Sequence, residues 1–208
     1  MGSIKKELLS GVFYTAIAKY SGILISLIIT GVLARLISPD KFGIVAVVTV
    51  ITFFFSIFSD LGIGAAIIQN KELQQKDLNQ LFSFTVWSGC ILTLLFFLCS
   101  WPISFFYKEP SMKAITQLLA INLFFASANI VPNALLYKAK AFKFLAWRSL
   151  GVQVSGGIIA ILAALGGAGL YTLIINPILS SILLFIISYQ KYPQTLEMTW
   201  GIPSIRKI

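Results

Sequence analysis

An all-α polytopic membrane protein is the fold class this sequence predicts, and three observations predict it. The chain is 58% hydrophobic and only 11% charged, where a soluble domain carries about 25% charged residues. Its apolar residues fall into six runs, each about as long as a helix that spans a bilayer's hydrocarbon core. Its basic residues gather in alternate loops between those runs, as loop charge does in membrane proteins. The excess of 16 Lys+Arg over 7 Asp+Glu would suggest nucleic acid in a soluble chain. Here it reads as membrane topology, with no nucleic-acid partner.

The runs are 11–36, 42–68, 80–106, 114–136, 149–165 and 169–189. The first follows MGSIKKELLS, which opens like a signal peptide. The run is longer than an h-region of about 7–15 residues and ends in no small-x-small site, so it is expected to stay as an uncleaved span. The turn Ser38-Pro39-Asp40-Lys41 joins spans one and two. Asn70–Asn79, Tyr107–Lys113 and Tyr137–Arg148 separate the middle spans, and Gly166-Gly167-Ala168-Gly169 turns the chain into the sixth. Residues 1–189 are thus expected to form a six-helix lobe, and the polar segment 190–208 a cytoplasmic tail or linker.

Lys5, Lys6, Lys71, Lys76, Lys138, Lys140, Lys143, Arg148, Lys191, Arg206 and Lys207 fall on the side of the N-terminus, against Lys41, Lys108 and Lys113 on the other. The positive-inside bias places both termini in the cytoplasm. Trp101, Tyr107 and Tyr171 mark the outer boundary, and Tyr137, Trp147, Tyr189 and Tyr192 the inner one, since amphipathic rings favour the headgroup level.

Lys19 in span one and Asp60 in span two lie about 20 residues from the turn between them. In an antiparallel hairpin rising ~1.5 Å per residue they sit at nearly equal depth. A charge inside a span is costly and usually pairs or lines a wet cavity. Lys19 and Asp60 are therefore expected to face each other in a polar cavity. A pair that only fixes packing, or Lys19 snorkelling to the interface, would satisfy the same spacing. Thr15, Lys19, Ser26 and Thr30 share one face of span one; Thr49, Thr52, Ser56 and Asp60 one face of span two; Asn122, Asn129 and Asn133 one face of span four. Ser149, Gln153 and Gly156-Gly157 make a shorter polar stripe in span five. These stripes line a common cavity if they do more than glue helices together. Arg35 lies near the outer end of span one, where it snorkels, pairs with Asp40, or adds a second cation to the cavity. Pro102, Pro132 and Pro177 are positions where spans three, four and six bend or break.

Histidine is absent, and Cys90 and Cys99 lie nine apart in one span. That spacing fits no zinc or redox motif, and free cysteines usually pack as small apolar residues. No paired carboxylates, no nucleophile with a histidine and no phosphate-cradling glycine loop occur, so no catalytic residue, metal site or cofactor is expected. Movement of a polar molecule through the bilayer is the function class that remains.

Three stretches carry a resemblance: LARLISPDKFGIVAVVTV at the first turn, FSDLGIGAAIIQN leaving span two, and VPNALLYKAKAFKFLAWRSL between spans four and five. Together they resemble the polysaccharide transporter (Wzx-like) family, flippases for lipid-linked oligosaccharides related to MATE antiporters and lipid II flippases. The resemblance implies two six-helix lobes around a central cavity, alternating access, and a multi-pass location in the bacterial cytoplasmic membrane. It implies an undecaprenyl-pyrophosphate-linked repeat unit as substrate, for O-antigen, capsule or exopolysaccharide synthesis. Six spans match only the N-terminal lobe, to be completed by a second lobe or a second copy. On this reading Lys19 and Arg35 attract the pyrophosphate, Asn122, Asn129, Asn133 and Gln153 line the substrate path, and Asp60 binds a coupling proton or sodium ion. A lipid II flippase shares the fold and differs in cargo. A MATE-like cation exporter would favour unpaired acids in the cavity, and a half-length chain serving only assembly would not transport.

Overall fold

The computed structural model describes the backbone of residues 2–60 and 62–197, and the side chains from residue 11 onward except Val12. The tail positions Trp200, Pro203, Arg206 and Lys207 lie outside the described residues, as do the side chains of Lys5 and Lys6. The described chain is helical, in the order α1 (Gly2–Leu36), α2 (Pro39–Asp60), α3 (Ile63–Gln69), α4 (Gln75–Tyr107), α5 (Ser111–Ala128), α6 (Ile130–Lys138), α7 (Phe142–Leu165), a 3-10 turn (Gly169–Tyr171) and α8 (Thr172–Lys191). Six spans are long and apolar enough to cross a membrane among the described residues. The fold class is therefore the one the sequence predicts: an all-helical, multi-pass membrane protein.

Two of the six runs are broken, and local chemistry explains both breaks. Span two was expected to run unbroken from 42 to 68, but α2 stops at Asp60 and α3 starts at Ile63. Gly62 sits at φ 78°, a left-handed conformation that costs glycine little and other residues more. The Asp60 carboxylate also accepts a hydrogen bond from the Gly64 N–H at 3.3 Å, offering that donor an alternative to the helix ladder. Span four divides at Asn129 into α5 and α6. Pro132 has no N–H to give the carbonyl of Ala128, one turn back, so the ladder loses a rung there. Asn129 and Asn133 carry the bonds past the gap, Asn129 N–H to Phe125 O and Asn133 N–H to Asn129 O. Pro102 and Pro177 are exposed on α4 and α8, and both helices run through them.

Packing departs from chain order. α1 and α2 are joined by a tight turn, yet α1 packs on α7, while α2 packs on α5 and α4. α1 and α7 run parallel, in matching order: Gly11 lies against Phe142, Gly22 against Gln153, and Ile29 against Gly157. Ile29, Leu33 and Ile37 bury themselves there with Ala160. Small residues let backbones approach closely where lipid supplies no hydrophobic drive, and Gly22 and Gly157 provide that approach between α1 and α7, Gly156 between α7 and α8. α7 then packs on α8, and α8 on α5. Val48, Phe96, Ile115, Leu119, Leu123 and Ile174 form the core shared by α2, α4, α5 and α8. Large apolar side chains on the outside, such as Phe13, Leu24, Val50, Phe53, Leu94 and Phe105, are the lipid-facing surface expected of spans.

After α8 the chain doubles back along α4. Gln75, Asn79 and Ser83, one helical turn apart, hold it: Gln75 Nε2 donates to Gln194 Oε1 at 2.9 Å, Thr195 N–H to Asn79 Oδ1 at 3.3 Å, and Glu197 N–H to Ser83 Oγ at 2.7 Å. Tyr189 donates its hydroxyl proton to Gln194 O at 2.8 Å. The segment 192–197 is thus a strap held along α4. Asn79→Ala removes the Thr195 acceptor and the donor to Glu197 Oε1. At about 0.5–1.5 kcal/mol per bond, amide exchange at residues 194–197 should speed up roughly tenfold. Unchanged protection by mass-resolved hydrogen exchange would show that the strap is held elsewhere.

Candidate functional site

The parallel contact of α1 and α7 opens near its beginning. Between the Gly11–Phe142 and Gly22–Gln153 contacts lies a pocket of about 200 Å³, lined by Thr15, Ala18 and Lys19 of α1, Tyr137 of α6, and Phe142, Leu145, Ala146 and Ser149 of α7. Thr15 and Lys19 are one turn apart on α1, so both face the same gap. Lys19 and Ser149 are exposed to it. Among the described residues no carboxylate lines the pocket. Its electrostatics are those of an ammonium flanked by hydroxyl groups, an arrangement that favours an anion.

The expected Lys19–Asp60 pair does not form. Asp60 ends α2, where its carboxylate is exposed and engaged with the Gly64 N–H, and α2 is not the helix against which α1 packs. Equal depth in a hairpin brings two residues together only if the two helices touch, and α1 packs on α7 instead, with Ile29 seated against Gly157. The single cavity expected from four stripes is likewise divided. Thr15, Lys19 and Ser149 meet in the pocket, whereas Gln153 donates from Nε2 to Gly22 O at 2.8 Å and serves as a link between α1 and α7. Asn122 is half-buried on α5, away from the pocket lining. Asn129 caps α5, with its Oδ1 buried and unpaired. Arg35 is exposed in the last turn of α1.

A second polar centre was not foreseen. Arg148 was counted as a loop cation, but α7 begins at Phe142, which puts Arg148 inside a span and only 9% exposed. Its Nη2 donates to Asn133 Oδ1 of α6 at 2.9 Å, and its Nη1 donates to Ser188 Oγ of α8. Nε is buried without a partner. The guanidinium therefore ties α6, α7 and α8 together beside the pocket, and Tyr137, one turn beyond Asn133, belongs to the pocket wall. The sequence signal was present on the other side: Ser181 and Ser188, seven apart and both buried, mark a polar face on α8 that needed a partner.

Residues 32–208 match the profile of a family described as polysaccharide biosynthesis protein. The chain is 27% identical over 158 residues to the lipopolysaccharide biosynthesis protein WzxC of Escherichia coli (strain K12), covering 76% of this chain and 31% of that protein. It is 28% identical over 121 residues to the teichuronic acid biosynthesis protein TuaB of Bacillus subtilis (strain 168), 58% of this chain and 25% of that one. It is 22% identical over 151 residues to the succinoglycan biosynthesis transport protein ExoT of Rhizobium meliloti (strain 1021), with 73% and 31% covered. The chain thus spans no more than about a third of the length of these relatives. No solved structure matches it. With six apolar spans and a family profile matched over most of its length, this chain belongs to the polysaccharide biosynthesis protein family.

Proposed function

We propose that the chain forms one six-helix lobe of a transporter that flips lipid-linked oligosaccharide repeat units across the bacterial cytoplasmic membrane by alternating access. The observation that carries this reading is the Lys19 pocket, a cation in a water-accessible gap with hydroxyl neighbours and no carboxylate among the described residues of its lining. A pyrophosphate linking lipid to sugar is the charged part of such a cargo and the part most costly to bring into a bilayer. An ammonium with the adjacent Ser149 hydroxyl replaces some of the water that the pyrophosphate loses, while the Thr15 hydroxyl donates to Gly11 O at 2.8 Å. An organic-cation exporter would favour an acid in such a pocket, and none of its described lining residues is one. On this reading the basic loops put both termini in the cytoplasm, so the pocket opens on the side where the cargo is made. Asp60, separate from Lys19, remains the acid available to a coupling proton or sodium ion. A second lobe or a second copy of the chain would complete the path, with membrane lipids around it.

The test uses the gene in its own chromosomal context. Charge-assisted hydrogen bonds contribute about 1.5–3 kcal/mol, so Lys19→Ala should reduce surface glycan at least roughly tenfold, with lipid-linked oligosaccharide building up in extracts. Lys19→Arg should keep most of the export. Normal glycan and no build-up in the Lys19→Ala strain would rule out the pocket as the pyrophosphate site.

A further inference from the structure

The two helix breaks lie side by side. Ser127, two residues before Asn129, donates to Ser59 Oγ at 3.0 Å, and Ser59 immediately precedes the end of α2 at Asp60. On the far side of both breaks, a β-carbon at Gly64 of α3 would lie 3.5 Å from Asp60 Oδ1 and 3.9 Å from Ile130 Cγ2 of α6. Two neighbouring spans are therefore interrupted at one level of the bundle. Their short C-terminal halves, α3 and α6, then pack on each other. Ile63 and Ile67 of α3 bury with Val131, Ala134 and Leu135 of α6 in a hydrophobic cluster that rests on Leu78, Leu81 and Phe82 of α4, separate from the main core. The ends of the two halves are tied as well, since Lys138 Nζ donates to Asn70 O at 2.7 Å. A basic side chain on a terminal carbonyl suits the negative end of a helix dipole.

We propose that α3 and α6 form one rigid cap hinged at these adjacent breaks, and that Arg148 is the positioning residue that holds the cap on the α7–α8 frame. The guanidinium reaches α6 through Asn133 and α8 through Ser188, so it is a polar fastening between the cap and the frame. Hinges are a few residues at element ends that absorb the backbone change; Gly62, with its positive φ, and Asn129 occupy those places. Because Tyr137 stands on α6 and walls the Lys19 pocket, releasing the cap moves one side of that pocket. The inference concerns motion and holds whatever the pocket carries.

Electron paramagnetic resonance on the full-length protein in nanodiscs, with Cys90 and Cys99 replaced by alanine, tests it. One spin-label pair, Gln69 and Ala139, reports distances within the cap, and a second, Gln69 and Lys143, reports cap against frame. Arg148→Gln should add a second cap-to-frame population displaced by about 5 Å, the scale of one-turn helix shifts, and leave the within-cap distance as in the parent. Ser188→Ala, which keeps the guanidinium and its bond to Asn133, should add the same population to a smaller extent and decides the matter if the Arg148→Gln protein does not fold. A cap-to-frame distribution identical to the parent's would overturn the proposal. So would equal broadening of both pairs, because that means local unfolding rather than a hinged rigid body.

Discussion

Gly89→Ala is expected to lower the melting temperature of the detergent-solubilised protein by about 2–10 °C, although alanine is the better helix former. The reason lies across the helix interface. A β-carbon at Gly89 of α4 would stand 2.7 Å from Ser127 Cβ and 3.1 Å from Ser127 Oγ of α5. Ser127 Cβ is fixed to its backbone, so no rotamer change relieves the overlap and the helices must part. Overpacking of this kind costs about 1–3 kcal/mol. The displacement also pulls Ser127 from Ser59, the bond that joins the two helix breaks. Gly151 is the internal control, with nothing within 4 Å of a β-carbon there. Gly151→Ala should therefore leave stability unchanged or raise it by up to about 1 kcal/mol, the helix-propensity gain. Fluorescence-detected size-exclusion chromatography after heating separates the two. If Gly89→Ala melts with the parent, α4 and α5 are not packed through this contact.

The six spans were legible because hydrophobic length is a one-dimensional signal, bounded at each end by charged or glycine-rich turns. The breaks were legible only in part. Pro132 pointed to one of them, since a missing donor is written in the sequence, but nothing in an apolar run shows that Gly62 takes a positive φ while Gly31 and Gly43 do not. Pairing between spans was the least legible. The depth argument for Lys19 and Asp60 assumed that consecutive helices pack together, and depth alone cannot choose a neighbour. Gly156-Gly157 stood in the sequence as part of a polar stripe, and their role was to admit Ile29 and Asn176 to close contact. Lys19 stands in the sequence as a cation within a span, and the residues that line its pocket follow once α7 replaces α2 as the partner. Arg148 was missed through the placement of a boundary. Phe142, Leu145 and Ala146 extend the apolar face of α7 for more than a turn beyond the residue where unbroken hydrophobicity stops.

Removing the partners of Arg148 is expected to destabilise the protein more than removing Arg148 itself. The guanidinium remains charged under all ordinary conditions and is 9% exposed within a span. Its satisfaction rests on Asn133 Oδ1 and Ser188 Oγ, because Nε already lacks a partner. Asn133→Leu combined with Ser188→Ala leaves a buried cation with no acceptor among these groups, a situation that costs about 3–5 kcal/mol. Arg148→Met keeps the apolar stem and removes the charge, leaving Asn133 and Ser188 as neutral groups. Ser188 retains a bond to Leu184 O, so the cost there is nearer the 1–3 kcal/mol of an unmade neutral hydrogen bond. The sign of the coupling is the informative quantity. Introduced alone, Arg148→Met should destabilise; introduced into the Asn133→Leu, Ser188→Ala background, it should restore stability. Denaturation midpoints for the four proteins of this cycle measure the term directly. If Arg148→Met destabilises both backgrounds equally, the guanidinium draws its support from elsewhere, and the fastening between α6 and α8 is apolar.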